Sequence, residues 1–196
     1  MNRLILVLTI GLFACNSATD KQKRTSEKPL ADSVAMTEKQ IVTTDCSRGA
    51  AEPIIKKTVY PQTIFVLQPD SLTGIETVAF DNGDNLTIKN WGCEYYVLTF
   101  RFETSRLQQD TTNLDFWFKS AASLTREVLD GLEAPIDIQK GIDKLVAHVD
   151  NNENLKLKDE IDFGTGDIRS FVSVDRVEKV TDKKYAVEIS FATGPL

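Results

Sequence analysis

Two kinds of side chain in this 196-residue chain have the chemistry for catalysis: the carboxylates and a single histidine. Two carboxylates that converge in one cleft can hydrolyse a glycoside, and Glu76, Glu94 and Glu103 are the candidates for such a pair. The histidine, His148, has no nucleophile near it in the sequence, so neither a Ser-His-Asp nor a Cys-His arrangement is indicated. The sequence therefore contains no assembled catalytic group, and we expect a protein that is not an enzyme.

An acidic cluster at Asp159, Glu160 and Asp162 precedes two glycines, Gly164 and Gly166. Clustered carboxylates are the oxygen ligands that Ca²⁺ prefers. The cluster lacks the alternating Asp or Asn residues and the closing Glu of an EF-hand loop. A solvated strand edge followed by a glycine turn is the favoured interpretation, with Ca²⁺ as the alternative. We predict no metal and no cofactor.

Aromatic residues surround Cys93 in the segment 91–96 (WGCEYY). Trp91 and Tyr95 fall outside the predicted core, and rigid aromatic side chains are good binding anchors because they lose little conformational entropy. Arg101 and Glu103 fall on the same side of the following strand as Tyr95 and are expected to complete a polar rim. The alternative is that both rings pack only against the surrounding loop.

The first 15 residues combine Arg3 with an apolar run from Leu4 to Ala14, which is too short to span a bilayer as a helix. The run ends in Leu12-Phe13-Ala14-Cys15, which resembles the lipobox of a bacterial lipoprotein signal. The resemblance implies a signal peptide over residues 1–14 and acylation of Cys15, with palmitate among the attached chains. Asn16, rather than Asp, favours the outer membrane. The alternative is a secretory signal without lipid.

With Cys15 assigned to the lipid by that resemblance, Cys46 and Cys93 remain as an even pair. In an exported protein such a pair is expected to form a disulfide. The bond would close a loop of about 48 residues and join the start of the folded domain to the head of a central strand.

Charge and composition divide the rest of the chain into two regions. Residues 15–40 mix opposite charges with few large apolar residues, which predicts a flexible tether. Residues 41–196 hold 17 basic and 25 acidic residues, a net charge of −8, and are long enough for one self-sufficient core. An acidic domain is a poor match for the phosphate backbone, so we expect no nucleic-acid partner.

Hydrophobic periodicity predicts an α+β fold for residues 41–196. The period changes from two to three or four and back again, which gives four strands, two helices and three strands. Runs of strands followed by helices favour a mostly antiparallel sheet, of about six to seven strands, with a central two-helix hairpin packed on one face. The predicted strands are 62–68, 74–80, 85–90, 93–104, 155–158, 168–174 and 185–191, and the helices are 110–132 and 135–149.

These observations together predict a lipid-anchored lipoprotein of the cell envelope that acts by binding. An adaptor, an inhibitor or immunity-type protein, and an accessory subunit of an envelope complex all fit, each with an envelope protein as its partner. The alternative is a carboxylate-dependent hydrolase of the cell wall or another glycan.

Overall fold

The computed structural model describes residues 46–151 and 154–196. The predicted signal peptide, the predicted acylation site at Cys15 and the predicted tether at 15–40 lie outside these residues. Within the described part, one sheet carries two helices. The strands are β1 (Ile64–Leu67), β2 (Gly74–Ala79), β3 (Asn85–Trp91), β4 (Tyr96–Thr104), β5 (Ile161–Asp162), β6 (Arg169–Lys179) and β7 (Tyr185–Gly194), and the helices are α1 (Leu114–Val128) and α2 (Ile138–Asn151).

The strands form one seven-stranded sheet in the order β1-β2-β3-β4-β7-β6-β5, and every neighbouring pair is antiparallel. Alternation along each strand sends large apolar side chains to one face, which we call the inner face. Ile88, Leu98, Phe100, Ile189 and Phe191 are fully buried there. The predicted α+β fold, with an antiparallel sheet and helices packed on it, is confirmed.

The two helices form an antiparallel hairpin on the inner face. Lys119, near the start of α1, pairs with Asp150 at the end of α2 at 3.5 Å, and Arg126 near the end of α1 pairs with Asp143 at 2.9 Å. The apolar stripes of both helices face the sheet, as their spacing predicts. Their fully or nearly fully buried members include Trp117, Phe118, Ala121, Leu124, Ile142 and Leu145.

Helix α1 begins later than its sequence pattern predicts. The side chain of Asn113 caps it by accepting the backbone N–H of Phe116 at 3.2 Å. Thr112 lies before the helix, and its N–H and its hydroxyl both donate to the carboxylate of Asp110. Residues 110–112 therefore form a turn ahead of the helix, because Asp110 offers the backbone a local alternative to helical bonding.

The predicted strand at 155–158 is wrong. Lys158 has a φ of +67°, which breaks the extended conformation, and its N–H donates to the carbonyl of Val174 at 2.8 Å. The strand β5 lies further along the chain, where Ile161 and Asp162 pair with β6. Alternating Leu and Lys residues at 155–158 fit a strand in pattern, but the backbone there turns towards β6 instead.

The segment before β1 covers the part of the inner face next to β2 and β3. The carboxylate of Glu76 accepts the backbone N–H of Ile54 at 2.8 Å and that of Ile55 at 3.1 Å. The other side of this segment bonds to the link between the helices, where Lys56 N–H donates to the Gly131 carbonyl at 2.8 Å. Residues 54–56 are thus held between the sheet and the helical layer.

The predicted disulfide is confirmed: Cys46 is bonded to Cys93, and their Cα atoms are 5.0 Å apart. Arg48 adds to the attachment by donating to the Trp91 carbonyl at 2.7 Å and to Asn90 Oδ1 at 2.8 Å. The start of the described domain is therefore fixed to the end of β3 by one covalent bond and two charged hydrogen bonds.

Removing this disulfide should lower the stability of the domain. A Cys46→Ser/Cys93→Ser double variant frees a loop of about 48 residues in the unfolded chain, which corresponds to a loss of about 4 kcal/mol on the chain-entropy model. Urea unfolding followed by tryptophan fluorescence measures the difference. Wild type with reductant should match the variant, and Cys15→Ser should match untreated wild type. Equal stability of wild type and the double variant would contradict the structural role.

Candidate functional site

Both described helices pack on the inner face, and no helix within residues 46–151 and 154–196 covers the opposite face of the sheet, which we call the open face. Its outward positions run across the strands in register, from Ile75 to Lys89, Thr99, Ser190 and Ser173. Next to Ile75, the edge strand β1 exposes 50% of Val66 and 63% of Ile64. The open face therefore has an apolar stripe at its β1 edge and a polar centre.

At one end of the open face lies a cavity of about 500 Å³ that contains two of the four predicted binding residues, Trp91 and Tyr95. Trp91 ends β3, Val97 lies beside it on β4, and Phe171 lies two strands further on β6. Tyr95 comes from the β3–β4 loop, and its ring meets that of Phe171 edge-on at a centroid distance of 6.1 Å. Three aromatic side chains thus line one cavity; we call it the aromatic cavity.

The β3–β4 loop that carries Tyr95 is held in one position. Gly92 has a φ of +105°, and a Cβ atom there would lie 2.1 Å from the carbonyl oxygen of Tyr95, so this site requires glycine. Cys93 ties the loop to Cys46, and the carbonyl of Glu94 accepts the N–H of Leu196 at 2.7 Å. The cavity is therefore largely preformed.

A cation lies over two of the three rings. Lys89 Nζ is 4.5 Å from the centroid of the Trp91 ring, and the Arg169 guanidinium is 4.8 Å from that of Phe171. Arg169 also pairs with Glu160 at 2.8 Å, and both of these side chains line the aromatic cavity. The aromatic walls thus meet a rim of planar charged groups.

A chain of hydrogen bonds runs from the aromatic cavity across the open face, and sequence reasoning missed it. The indole N–H of Trp91 donates to Thr99 Oγ1 at 3.1 Å, and Thr99 Oγ1 shares a hydrogen bond with Ser190 Oγ at 2.8 Å. Ser190 donates to Asp175, which also accepts the hydroxyl of Ser173 at 2.7 Å. The chain fixes the indole ring through four side chains from three other strands.

The other two predicted residues, Arg101 and Glu103, lie on the open face but away from the aromatic cavity. Arg101 donates to Glu103 at 3.1 Å, to Glu188 at 2.9 Å and to Glu178 at 2.5 Å. Burial lowers the pKa of Arg101, but the bonds to the three carboxylates outweigh burial and raise it. Four residues separate Arg101 from Val97, or roughly 13 Å along a strand, so the structure does not bring this pair to the rim of the cavity.

The carboxylates proposed for hydrolysis do not share a cleft. Glu76 lies on the inner face, 1% exposed, whereas Glu103 lies on the open face. Glu94 is exposed on the β3–β4 loop, where it lines the aromatic cavity. The cluster at 159–162 is partly neutralised, since Arg169 pairs with both Glu160 and Asp162.

Two observations bear on metals and membranes. Across residues 46–151 and 154–196, no group of three or more His, Cys, Asp or Glu side chains is arranged to hold a metal ion. In the same described residues, no helix has the length and apolar character needed to cross a bilayer.

Comparison with known proteins finds no family model, no curated protein and no solved structure that matches this chain.

The buried carboxylate of Glu76 should make stability depend on pH. Burial raises its pKa, against the lowering effect of the N–H groups of Ile54 and Ile55. A raised pKa means that the folded state holds the proton more readily than the unfolded chain does. The contribution of Glu76 is therefore fully present below the ordinary pKa of Glu and is lost as pH rises through the raised value.

We expect Glu76→Gln to abolish this dependence. The stability of wild type relative to the variant should fall as pH rises from about 4 to 7, a range that starts near the ordinary pKa of Glu. Urea unfolding at several pH values measures it. Thr77→Val, a neighbour on the open face that changes no ionisable group, is the matched control and should run parallel to wild type. A constant difference between wild type and Glu76→Gln would show that the buried carboxyl does not titrate as described.

Proposed function

We propose that this chain is a lipid-anchored binding module of the bacterial cell envelope, which engages an envelope protein partner through its open face. The observation that carries the proposal is the open face of the seven-stranded sheet, on which no helix of the described residues packs and which exposes Ile64 and Val66 in one apolar stripe. An adaptor, an inhibitor or immunity-type protein, and an accessory subunit are the forms of this function that we expect.

The apolar stripe at the β1 edge is the part of the open face best suited to a protein partner. Ile64 and Val66 project beside Ile75, and residues 61–69 contain no charged side chain. Edge strands that must avoid pairing with other chains often carry charged residues. The opposite edge does so, since β5 contains Asp162 and is flanked by Glu160, and Arg169 pairs with both.

Covering this stripe would contribute free energy to association. Burial of apolar surface stabilises a contact by about 25 cal/mol per Å² before the entropy of association is subtracted. Extended patches of exposed apolar surface mark interaction sites more often than they mark inert surface. The polar centre of the open face would lie beside this contact. Its hydroxyl groups and the charged groups around Arg101 are already hydrogen-bonded to one another.

The anchor rests on the resemblance of residues 1–15 to a lipoprotein signal. Acylation of Cys15 would hold the protein at the membrane, with the outer membrane favoured by Asn16. The tether at 15–40 would span roughly 25–30 Å as a flexible coil, enough to lift the domain off the surface. Such an arrangement suits a domain that binds a partner in the envelope. The carboxylates named for the alternative, a glycan hydrolase, do not form a pair, because Glu76 and Glu103 lie on opposite faces of the sheet.

Site-specific photo-crosslinking in intact cells tests this function on the full chain. A photoreactive amino acid replaces Thr77, which is exposed on the open face, or Ser123, which is exposed on the solvent side of α1. We expect a protein adduct of defined mass from position 77 and none from position 123, because only the open face is proposed to contact the partner.

The same cells report on the anchor. With Cys15→Ala, a fatty-acid analogue should no longer label the protein, and the adduct should leave the membrane fraction. Adducts of equal yield from positions 77 and 123 would contradict binding through the open face. Equal labelling of wild type and Cys15→Ala would contradict the lipid anchor.

A further inference from the structure

The aromatic cavity has a lining that selects for a particular ligand chemistry. Its walls are the rings of Trp91, Tyr95 and Phe171 and the side chain of Val97 on β4. Its rim holds Glu160 and Arg169. A cavity of about 500 Å³ falls within the range of small-molecule sites, which are mostly apolar with a few well-placed polar groups. The question is which class of molecule fits these walls and this rim.

Cationic ligands match the cavity poorly. Aromatic faces attract cations, but Lys89 already lies over the ring of Trp91 and Arg169 over that of Phe171. A second cation at either ring would be repelled by the like charge already held there. Each of these two rings therefore already has a cationic side chain of the protein as its partner.

Anionic ligands also match poorly, because Glu94 and Glu160 line the same cavity. The guanidinium of Arg169 does not compensate, since it pairs with Glu160 at 2.8 Å and with Asp162 at 3.5 Å. An anion would have to displace these carboxylates to reach Arg169. The charges around the cavity thus favour a neutral ligand.

Among neutral ligands, a sugar ring fits both the walls and the rim. One face of a pyranose presents C–H groups, which pack against an aromatic ring. Its edge presents hydroxyls, which bond to planar carboxylate and guanidinium groups. Lys89 covers one side of the Trp91 indole but is not among the residues that line the cavity, so the indole contributes other surface there. The indole of Trp91 is already fixed by its bond to Thr99, so it loses little freedom when a ring stacks on it.

We propose that the aromatic cavity binds a neutral saccharide unit, of the kind found in a glycan chain of the cell envelope. The inference rests on the proposed function for two premises, that the open face is a binding surface and that the protein lies in the cell envelope. It adds a second ligand at the end of that face, away from the apolar stripe of β1.

Two-dimensional ¹H–¹⁵N NMR of the full chain, purified in a sugar-free detergent, tests this site. The chain has two tryptophans, and each gives one indole N–H signal. Trp91 is 38% exposed in the cavity, whereas Trp117 is fully buried and bonded to the Asp110 carbonyl at 2.9 Å. Trp117 is therefore an internal control for the fold.

The probes are chitotriose, cellotriose and maltotriose, with trilysine and trigalacturonate as charged comparisons. We expect at least one neutral trisaccharide to shift the Trp91 signal in a saturable way below roughly 10 mM, with the Trp117 signal unmoved. The charged probes should produce no comparable shift at the same concentration.

Variants then locate the site. Trp91→Ala should weaken binding of that trisaccharide by roughly tenfold or more, as monitored by isothermal titration calorimetry. Trp91→Phe, which keeps an aromatic ring, should retain part of the affinity, and Ile64→Ala on the β1 stripe should retain all of it. An unmoved Trp117 signal in each variant shows that the fold is intact.

No Trp91 shift with any neutral trisaccharide, a preference for trilysine or trigalacturonate, or full affinity in Trp91→Ala would each overturn the inference. None of these results alters the crosslinking from position 77, so failure here is distinguishable from failure of the proposed protein-binding function.

Discussion

One-sided packing of the sheet is the constraint on which the rest of this structure depends. Two helices and a short N-terminal segment cover the inner face, where strand alternation places the fully buried side chains. An antiparallel sheet can leave its other face to solvent, provided that the exposed positions are polar or are covered by a partner. The side chains at the centre of the open face are polar, whereas those at the β1 edge are apolar and exposed.

Two polar arrangements at the centre follow from that constraint. In the first, the hydroxyls of Thr99 and Ser190 connect the indole of Trp91 to Asp175. In the second, the guanidinium of Arg101 donates hydrogen bonds to three carboxylates. Both bond side chains across neighbouring strands, which stabilises register without apolar burial. The open face is therefore ordered at its centre, and its exposed apolar side chains remain available at the edge.

The N-terminal segment completes the inner face and connects it to the aromatic cavity. Glu76 holds this segment through two backbone N–H groups, and the disulfide joins Cys46 to Cys93 in the loop that carries Tyr95. The chain thus enters the described domain beside the cavity.

Local patterns in the sequence predicted much of the fold. Period-two alternation located β2, β3, β4 and β7, period-3.6 stripes located the helix hairpin, and counting cysteines identified the disulfide. These features depend on neighbours in the chain or on covalent chemistry. The pairing of Glu76 with the Ile54 segment and the ion pairs of Arg101 with Glu178 and Glu188 depend on contacts between residues 21 to 87 positions apart, which no local pattern encodes. The strand order likewise depends on pairing between distant segments.

The predicted binding residues also divide into those that local sequence brings together and those that depend on distant contacts. Trp91 and Tyr95 share a cavity because a short, disulfide-bonded loop joins them, whereas Arg101 shares only their face. Asp175 was missed because it lies at the irregularity between Val174 and Arg176, where β6 departs from strict alternation against β7. A bulge redirects a side chain in a way that periodicity alone does not predict.

Hydroxyl-radical footprinting of the protein in intact cells, compared with the purified protein, tests the central claim most directly. If the open face is the binding surface, oxidation of Ile64 and Val66 should fall several-fold in the cells, since these side chains are 63% and 50% exposed when free. Oxidation of Val146, partly exposed on α2, should stay the same. Protection of Val146 with undiminished oxidation of Ile64 and Val66 would contradict the claim.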